Sequence, residues 1–293
     1  MSDSKSSFDP SPSKPKLRLP KGACDAHVHV FGPVNKFPYA EKRTYTPAAE
    51  APKEKLFEMH ATLGVEHCVI VQPGCHGFDN SVTADAIAAA SGRYCGVALV
   101  PTIVDDAELR RLDGLGFRGV RFNYMKHLGG GAPLDEVIAL GGRIEKLGWH
   151  LQIHLESSLI GEMAPALRGS AVPVVIDHMG RVDASLGFDQ PAFRALLELM
   201  KDSRFWVKVS GPERCTRRPP PYGDSIPFAS KLVAEFGDRT LWGMDWPHPN
   251  LNHVPDDGLL VDLLSEIAPS EAQRKALLVD NPRRLYGFAP TGS

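Results

Sequence analysis

Trp149-His150-Leu151-Gln152-Ile153-His154-Leu155 and Val172-Pro173-Val174-Val175-Ile176-Asp177-His178, with Leu159-Ile160-Gly161-Glu162-Met163-Ala164-Pro165-Ala166-Leu167 between them, form the stretch whose reading decides the fold. The outer runs are short and rich in Val, Ile and Leu, as strands buried on both faces are, and the middle run carries a helical pattern. Residues 149–178 therefore read as one strand-helix-strand unit of a parallel sheet. Worked outward in both directions, the same rhythm predicts strands near 23–31, 66–72, 96–100, 119–123, 149–155, 172–177, 205–209 and 240–244. It predicts helices near 53–63, 80–91, 105–115, 133–147, 159–167, 190–201, 226–236 and 258–267, with a last one at 271–285. Asp105-Asp106 and Pro269-Ser270-Glu271 supply helix start signals. Eight such repeats in one chain of 293 residues predict an α/β fold, a single-domain (β/α)8 TIM barrel, whose chemistry belongs at the C-terminal ends of the strands. An open doubly wound sheet is the competitor, and no G-x-G-x-x-G follows the first strand to support it. Gly129-Gly130-Gly131 follows the fourth strand, leads into Pro133, and reads as a flexible loop.

The composition, 43% hydrophobic and 23% charged, suits one large core. Residues 1–20, rich in Ser, Pro and Lys, read as a flexible N-terminal arm, and 21–293 as the barrel. A net charge of −2 gives no long-range field for nucleic acid or an anionic membrane, so an anionic small-molecule substrate must be held by locally placed cations. Five cysteines without C-x-x-C spacing read as reduced buried thiols and favour a cytoplasmic location. No secretory signal and no apolar run of membrane-spanning length is expected. Oligomeric state is not legible.

The ends of the expected strands are strongly polar. Strand one carries His27 and His29, alternate residues that point the same way; strand five ends at His154, strand six at His178 and strand eight at Asp245. Four imidazoles and a carboxylate at one barrel mouth are a donor set suited to zinc, and less well to manganese, cobalt or iron. Pro219-Pro220-Pro221 and the prolines at 247, 249 and 255 stiffen the loops around that mouth.

With His-x-His on strand one, His on strands five and six and Asp on strand eight, the chain resembles the amidohydrolase superfamily. Strand four departs from that pattern: Phe117-Arg118-Gly119-Val120-Arg121-Phe122-Asn123 offers no Lys or Glu to bridge two ions. The resemblance then implies one Zn2+ held by His27, His29, His154 and Asp245, with His178 assisting. Within the superfamily, Asp25-Ala26-His27-Val28-His29-Val30-Phe31-Gly32-Pro33, Cys75-His76-Gly77-Phe78-Asp79-Asn80, Ile176-Asp177-His178-Met179-Gly180-Arg181 and Asp245-Trp246-Pro247-His248-Pro249-Asn250 resemble the 2-pyrone-4,6-dicarboxylate lactonases and 4-sulfomuconolactone hydrolases. The dicarboxylate lactonases work without metal, carry Tyr where this chain has His154, and carry Arg where it has His127. Imidazole is no substitute for a bidentate guanidinium, so both departures lean towards the zinc-dependent sulfomuconolactone enzymes. The implied activity is hydrolysis of an anionic muconolactone-type ring, 4-sulfomuconolactone giving maleylacetate and sulfite; the alternative is metal-independent opening of 2-pyrone-4,6-dicarboxylate. The implied roles are Asp245 as proton carrier, His178 as the group polarising the carbonyl, and Arg121, His127, Arg214 and Tyr45 as substrate contacts.

Overall fold

A computed structural model describes residues 7–129 and 131–289, and it is the expected barrel. Eight parallel strands lie in sequence order: β1 (Cys24–Val28), β2 (His67–Val71), β3 (Tyr94–Ala98), β4 (Phe117–Tyr124), β5 (His150–Leu155), β6 (Val174–Ile176), β7 (Phe205–Lys208) and β8 (Thr240–Leu241). Each of the seven crossovers carries a helix of eight or more residues: α1 (Lys53–Leu63), α2 (Ser81–Ala89), α3 (Asp106–Gly114), α4 (Leu134–Ile144), α5 (Ile160–Leu167), α6 (Pro191–Met200) and, beyond the short α7 (Pro212–Cys215), α8 (Ile226–Phe236). After β8 come α9 (Asp257–Asp262), α10 (Leu264–Ile267), α11 (Glu271–Lys275) and α12 (Asn281–Tyr286). The helices cover the sheet with apolar stripes, as α6 does with buried Phe193, Leu196, Leu199 and Met200. Local signals fix their starts: the Asp105 side chain accepts from Glu108 N ahead of α3, and Ser270 with Gln273 forms a capping box on α11.

The barrel closes between β8 and β1. Ala26 N donates to Trp242 O (2.8 Å), Asp245 N to His27 O (2.7 Å) and His29 N to Trp246 O (2.7 Å). Gly243 permits this approach, since a Cβ there would lie 2.5 Å from His27 N. Asp25 Oδ1 adds a clasp by accepting from both His27 N and Met244 N at 3.1 Å.

One irregularity aims the first histidine pair. Cys24 and Ala26 belong to an inner apolar cluster with Val71, Val97, Val175 and Trp206, so strict alternation would turn residues 27 and 29 outward. Between Asp25 and Val28, however, three steps of β1 oppose two of β2, and this bulge reverses the parity. His27 and His29 face the mouth because of it.

Several boundaries differ from expectation. β1 and β8 stop at Val28 and Leu241, short of 31 and 244, because the chain beyond them bends into loops that carry the polar residues. The helix expected at 258–267 is split into α9 and α10. That expected at 271–285 is broken into α11, a π turn at Ala276–Asp280, and α12, whose Pro282 lacks an N–H. Of the segment expected as an arm, residues 1–6 lie outside the described residues, as does Gly130. From residue 7 the segment runs against the barrel: Phe8 packs 4.9 Å from the Trp246 ring, and Lys16 N and Leu17 N both donate to Asp262 Oδ1. All five cysteines are free and buried. Among the described residues no helix is long and apolar enough to cross a membrane.

Candidate active site

A cavity of about 540 Å³ opens at the C-terminal ends of the strands, within the range of small-molecule sites. Its wall includes Arg121, His154, His178, Arg181, Arg214 and Asp245, together with His29, half-buried Tyr45 and rim-exposed His127. Every substrate contact expected from sequence therefore lines one cavity. His27 is fully buried and lies beneath the wall.

Asp245 is the hub. It follows β8 with φ 61°, a left-handed conformation disfavoured for any residue with a Cβ, as are His248 (φ 57°) and Asn250 (φ 62°) in the same turn. Its Oδ1 lies 3.2 Å from His29 Nε2 and 3.6 Å from His27 Nε2, and its Oδ2 is 3.6 Å from His178 Nε2 and accepts a close hydrogen bond from Arg214 Nε. Arg214 also donates to Pro249 O (3.1 Å), tying α7 to the turn. Burial alone would raise the Asp245 carboxyl, but the Arg214 guanidinium and the surrounding imidazoles hold it well below the usual carboxylate range. It is a standing anion. His248 N donates to Asp245 O (2.8 Å), and the buried His248 Nε2 lies 2.9 Å from Asp257 Oδ1, so α9 supports the turn from behind.

The histidines are held in defined orientations. His29 Nδ1 donates to Val71 O (2.7 Å), which turns Nε2 towards Asp245. His154 Nδ1 meets Asn123 Oδ1 at 3.0 Å, and His178 Nδ1 meets Ser210 Oγ at 3.0 Å. Burial pushes His154 and His178 well below the ordinary imidazole value, the first helped by Arg121 and the second opposed by Asp245, so both are neutral. His178 opens a strained turn, His178–Arg181, with positive φ at His178 (47°), Met179 (53°) and Arg181 (56°). That turn brings Arg181 into the cavity, where it faces Arg214.

Ligand atoms of His27, His29 and Asp245 all lie within 4.8 Å of one another, and His27 Nε2 has no hydrogen-bond partner. With His29 Nε2 turned towards the same carboxylate oxygen, these three fit one divalent ion in donor type and direction. His154 does not join the group. It stands on β5, diametrically opposite β1 in the barrel order, and its Nε2 is also without a partner.

Below the mouth is a charged layer that sequence reading passed over. Asp177, fully buried, accepts from Arg121 Nε (2.8 Å) and Gln152 Nε2 (3.1 Å) through Oδ2, while Oδ1 lies 3.4 Å from His27 Nδ1 and 3.6 Å from Lys208 Nζ. Lys208, also fully buried, donates to Gln152 Oε1 (2.8 Å) and lies 3.2 Å from His27 Nδ1. Burial outweighs Asp177 and pushes Lys208 down to about 8. Burial, with Lys208 adding to it, takes His27 to about 3, so His27 is neutral. Strand alternation was the available signal: Trp206, Lys208 and Ser210 share one face of β7, and Gln152 and His154 one face of β5.

A standing carboxylate, neutral imidazoles and the guanidiniums of Arg121, Arg181 and Arg214 around one cavity can orient an anionic electrophile, remove a proton from water and stabilise an oxyanion. Comparisons with known proteins agree with that chemistry. The chain is 47% identical over 286 residues to the 2-pyrone-4,6-dicarboxylate hydrolase of Comamonas testosteroni, covering 94% of this chain and 93% of that one. It is 40% identical over 282 residues to the 4-sulfomuconolactone hydrolase of Hydrogenophaga intermedia, covering 94% and 92%. Its fold matches an apo crystal structure from Agrobacterium tumefaciens with a TM-score of 0.85 at 27% identity, over 94% of this chain and all of that one. The amidohydrolase family model matches residues 24–288, from the first residue of β1 to just beyond α12, and the chain belongs to the amidohydrolase family.

Proposed function

We propose that this chain hydrolyses a lactone ring carrying two anionic groups, with 4-sulfomuconolactone, opened towards maleylacetate and sulfite, as the first reading. The observation that carries the proposal is the placement of Arg121, Arg181 and Arg214 around one cavity with Asp245 and His178 at its floor. Guanidiniums pair with carboxylate or sulfonate in a fixed fork, and two such anchors hold a flat ring in one orientation. Asp245, anionic at rest, takes a proton from the attacking water as the new C–O bond forms at the lactone carbonyl. His178, held through Nδ1 by Ser210, directs Nε2 towards the developing oxyanion and polarises the carbonyl. When the ring C–O bond breaks, Asp245 returns the proton to the leaving oxygen. In the sulfonated substrate the carbon that bears the freed oxygen also bears sulfonate, and it expels sulfite as it becomes a ketone. Tyr45 and His127 close the cavity rim as further polar contacts. Zinc held by His27, His29 and Asp245, with His154 as the fourth residue implied by the family pattern, would supply a Lewis acid for activating water at neutral pH.

A second reading, 2-pyrone-4,6-dicarboxylate opened without metal, is favoured by the 47% identity to the Comamonas enzyme and by the position of His154 outside the ligand group. Both lactones assayed on one preparation, with metal content measured on the same sample, decide between them. Turnover of 4-sulfomuconolactone with one zinc per chain supports the first reading. Turnover of the pyrone dicarboxylate by metal-free protein replaces it with the second, and no turnover of either overturns both.

A further inference from the structure

We infer that Phe78 determines the shape of ring this cavity accepts, covering one face of a flat, unsaturated ring and discriminating against a puckered one. Phe78 lines the cavity yet is 62% exposed, whereas Phe122 and Tyr45 in the same wall are buried and half-buried. A single exposed apolar side chain is ordinary on a protein surface. What sets Phe78 apart is how firmly its backbone is held.

Three consecutive carbonyls around the ring are fastened by buried amides. Gln72 Nε2 donates to Gly77 O (3.4 Å) and Asp79 O (2.8 Å), and Asn80 Nδ2 donates to Phe78 O (3.0 Å). Both amides are fixed in turn: Thr83 Oγ1 donates to Gln72 Oε1 (2.6 Å), and Asn80 meets Leu99 beyond β3 twice, accepting from its N (3.1 Å) and donating to its O (2.9 Å). At the base of the loop, His76 Nδ1 donates to Pro38 O (3.1 Å). Gly77 turns the chain with φ 57° and ψ −134°, and a Cβ there would stand 3.2 Å from Ala40 Cβ. These bonds order a segment whose aromatic side chain gains little burial from the order. A ring held this way is preorganised for contact with a molecule entering the cavity.

On the lactone reading, on which this inference rests, water activated at the floor by Asp245 and His178 approaches the carbonyl perpendicular to its plane. The opposite face of the substrate ring then looks to the mouth, where Phe78 stands. Arg121, Arg181 and Arg214 take the anionic groups at the ring's edge and leave that face to be covered. Offset contact between two flat rings brings many atoms to van der Waals distance, and a puckered ring of the same size meets the phenyl with fewer.

Isothermal titration calorimetry of the full chain with two non-hydrolysable probes tests this without turnover. Isophthalate and cis-cyclohexane-1,3-dicarboxylate carry the same two carboxylates at similar spacing, one on a flat ring and one on a puckered ring. The wild-type chain is expected to bind isophthalate about tenfold more tightly. Phe78→Ala removes the preference by weakening isophthalate alone. Phe78→Leu does the same, because it keeps apolar bulk without a flat face, and Phe78→Tyr retains the wild-type ratio. No binding of isophthalate, equal affinity of the wild-type chain for the two probes, equal loss of both in Phe78→Ala, or full isophthalate affinity in Phe78→Ala or Phe78→Leu overturns the inference. The lactone reading fails by a separate result, the absence of hydrolysis of either lactone, so the two failures are distinguishable.

Discussion

Asp177→Asn should be among the most costly single substitutions in the barrel. The change is isosteric, but it removes the one carboxylate between Arg121 and Lys208, leaving two buried cations without a counter-charge. Breaking a buried pair from one side costs about 3–5 kcal/mol, because the remaining charge stays desolvated. Unfolding entropy of about 2.1 cal/mol/K per residue, over 293 residues, comes to about 0.6 kcal/mol/K, so the melting temperature should fall by about 5–8 °C. Lys208→Met is the control: it leaves the Arg121–Asp177 pair intact and should cost less than half as much. Urea and thermal unfolding of the three proteins measure both differences. Burial would raise the Asp177 carboxyl, but Arg121, His27 and Lys208 hold it well below the ordinary value. Its folded pKa is therefore below its unfolded one, about 3.9. The stability it contributes is present above that value and is lost as pH falls through the folded pKa, so the gap between wild type and Asp177→Asn should narrow in acid. An Asp177→Asn protein within 1 kcal/mol of wild type at neutral pH, or a Lys208→Met protein equally destabilised, would refute this account of the charged layer.

Three further outcomes follow from the geometry. Asp245→Asn keeps the shape of the hub but cannot take a proton, so kcat should drop by about 10²–10⁴-fold with KM little altered in steady-state assays; retained turnover would remove Asp245 as the proton carrier. Gly243→Ala puts a methyl 2.5 Å from His27 N and 2.7 Å from His27 Cβ, and the seam between β1 and β8 should open at a cost of about 1–3 kcal/mol with loss of activity, measured by denaturation and turnover together. Burial alone would lower His248, but Asp257 outweighs it and raises the imidazole above its ordinary value, so the pair stabilises the fold below about pH 6.5 and loses that contribution as pH rises through the folded pKa. Asp257→Asn should flatten the stability profile over that window, and an unchanged profile would show that the pair does not titrate there.

The barrel was legible because its strands are buried on both faces and read as short apolar runs between helical patterns, as residues 149–178 show. The polar strand ends were legible for the same reason: His154, His178 and Asp245 interrupt apolar runs at one end. Distance was not. Position along a strand does not say how far apart two side chains stand across a barrel: His154 stands on β5, across the barrel from His27 and His29 at β1. The bulge in β1 was hidden too, because alternation counted from His27 gives no sign that Cys24 and Ala26 already occupy the inner face. Arg181 and Lys208 were missed for different reasons. Arg181 reaches the cavity through a turn with left-handed residues that no Gly-rich pattern announces, and a single lysine in a strand ordinarily keeps its charge in water.

The account's central claim is that this cavity opens a doubly anionic lactone. The direct measurement is turnover of 4-sulfomuconolactone and of 2-pyrone-4,6-dicarboxylate by one purified preparation, as isolated and after loading with zinc, followed by loss of the ring chromophore. Hydrolysis of one of these lactones, abolished by Asp245→Asn and weakened at the level of KM by Arg121→Lys, is the predicted result. A folded protein that hydrolyses neither lactone in either state would contradict the claim.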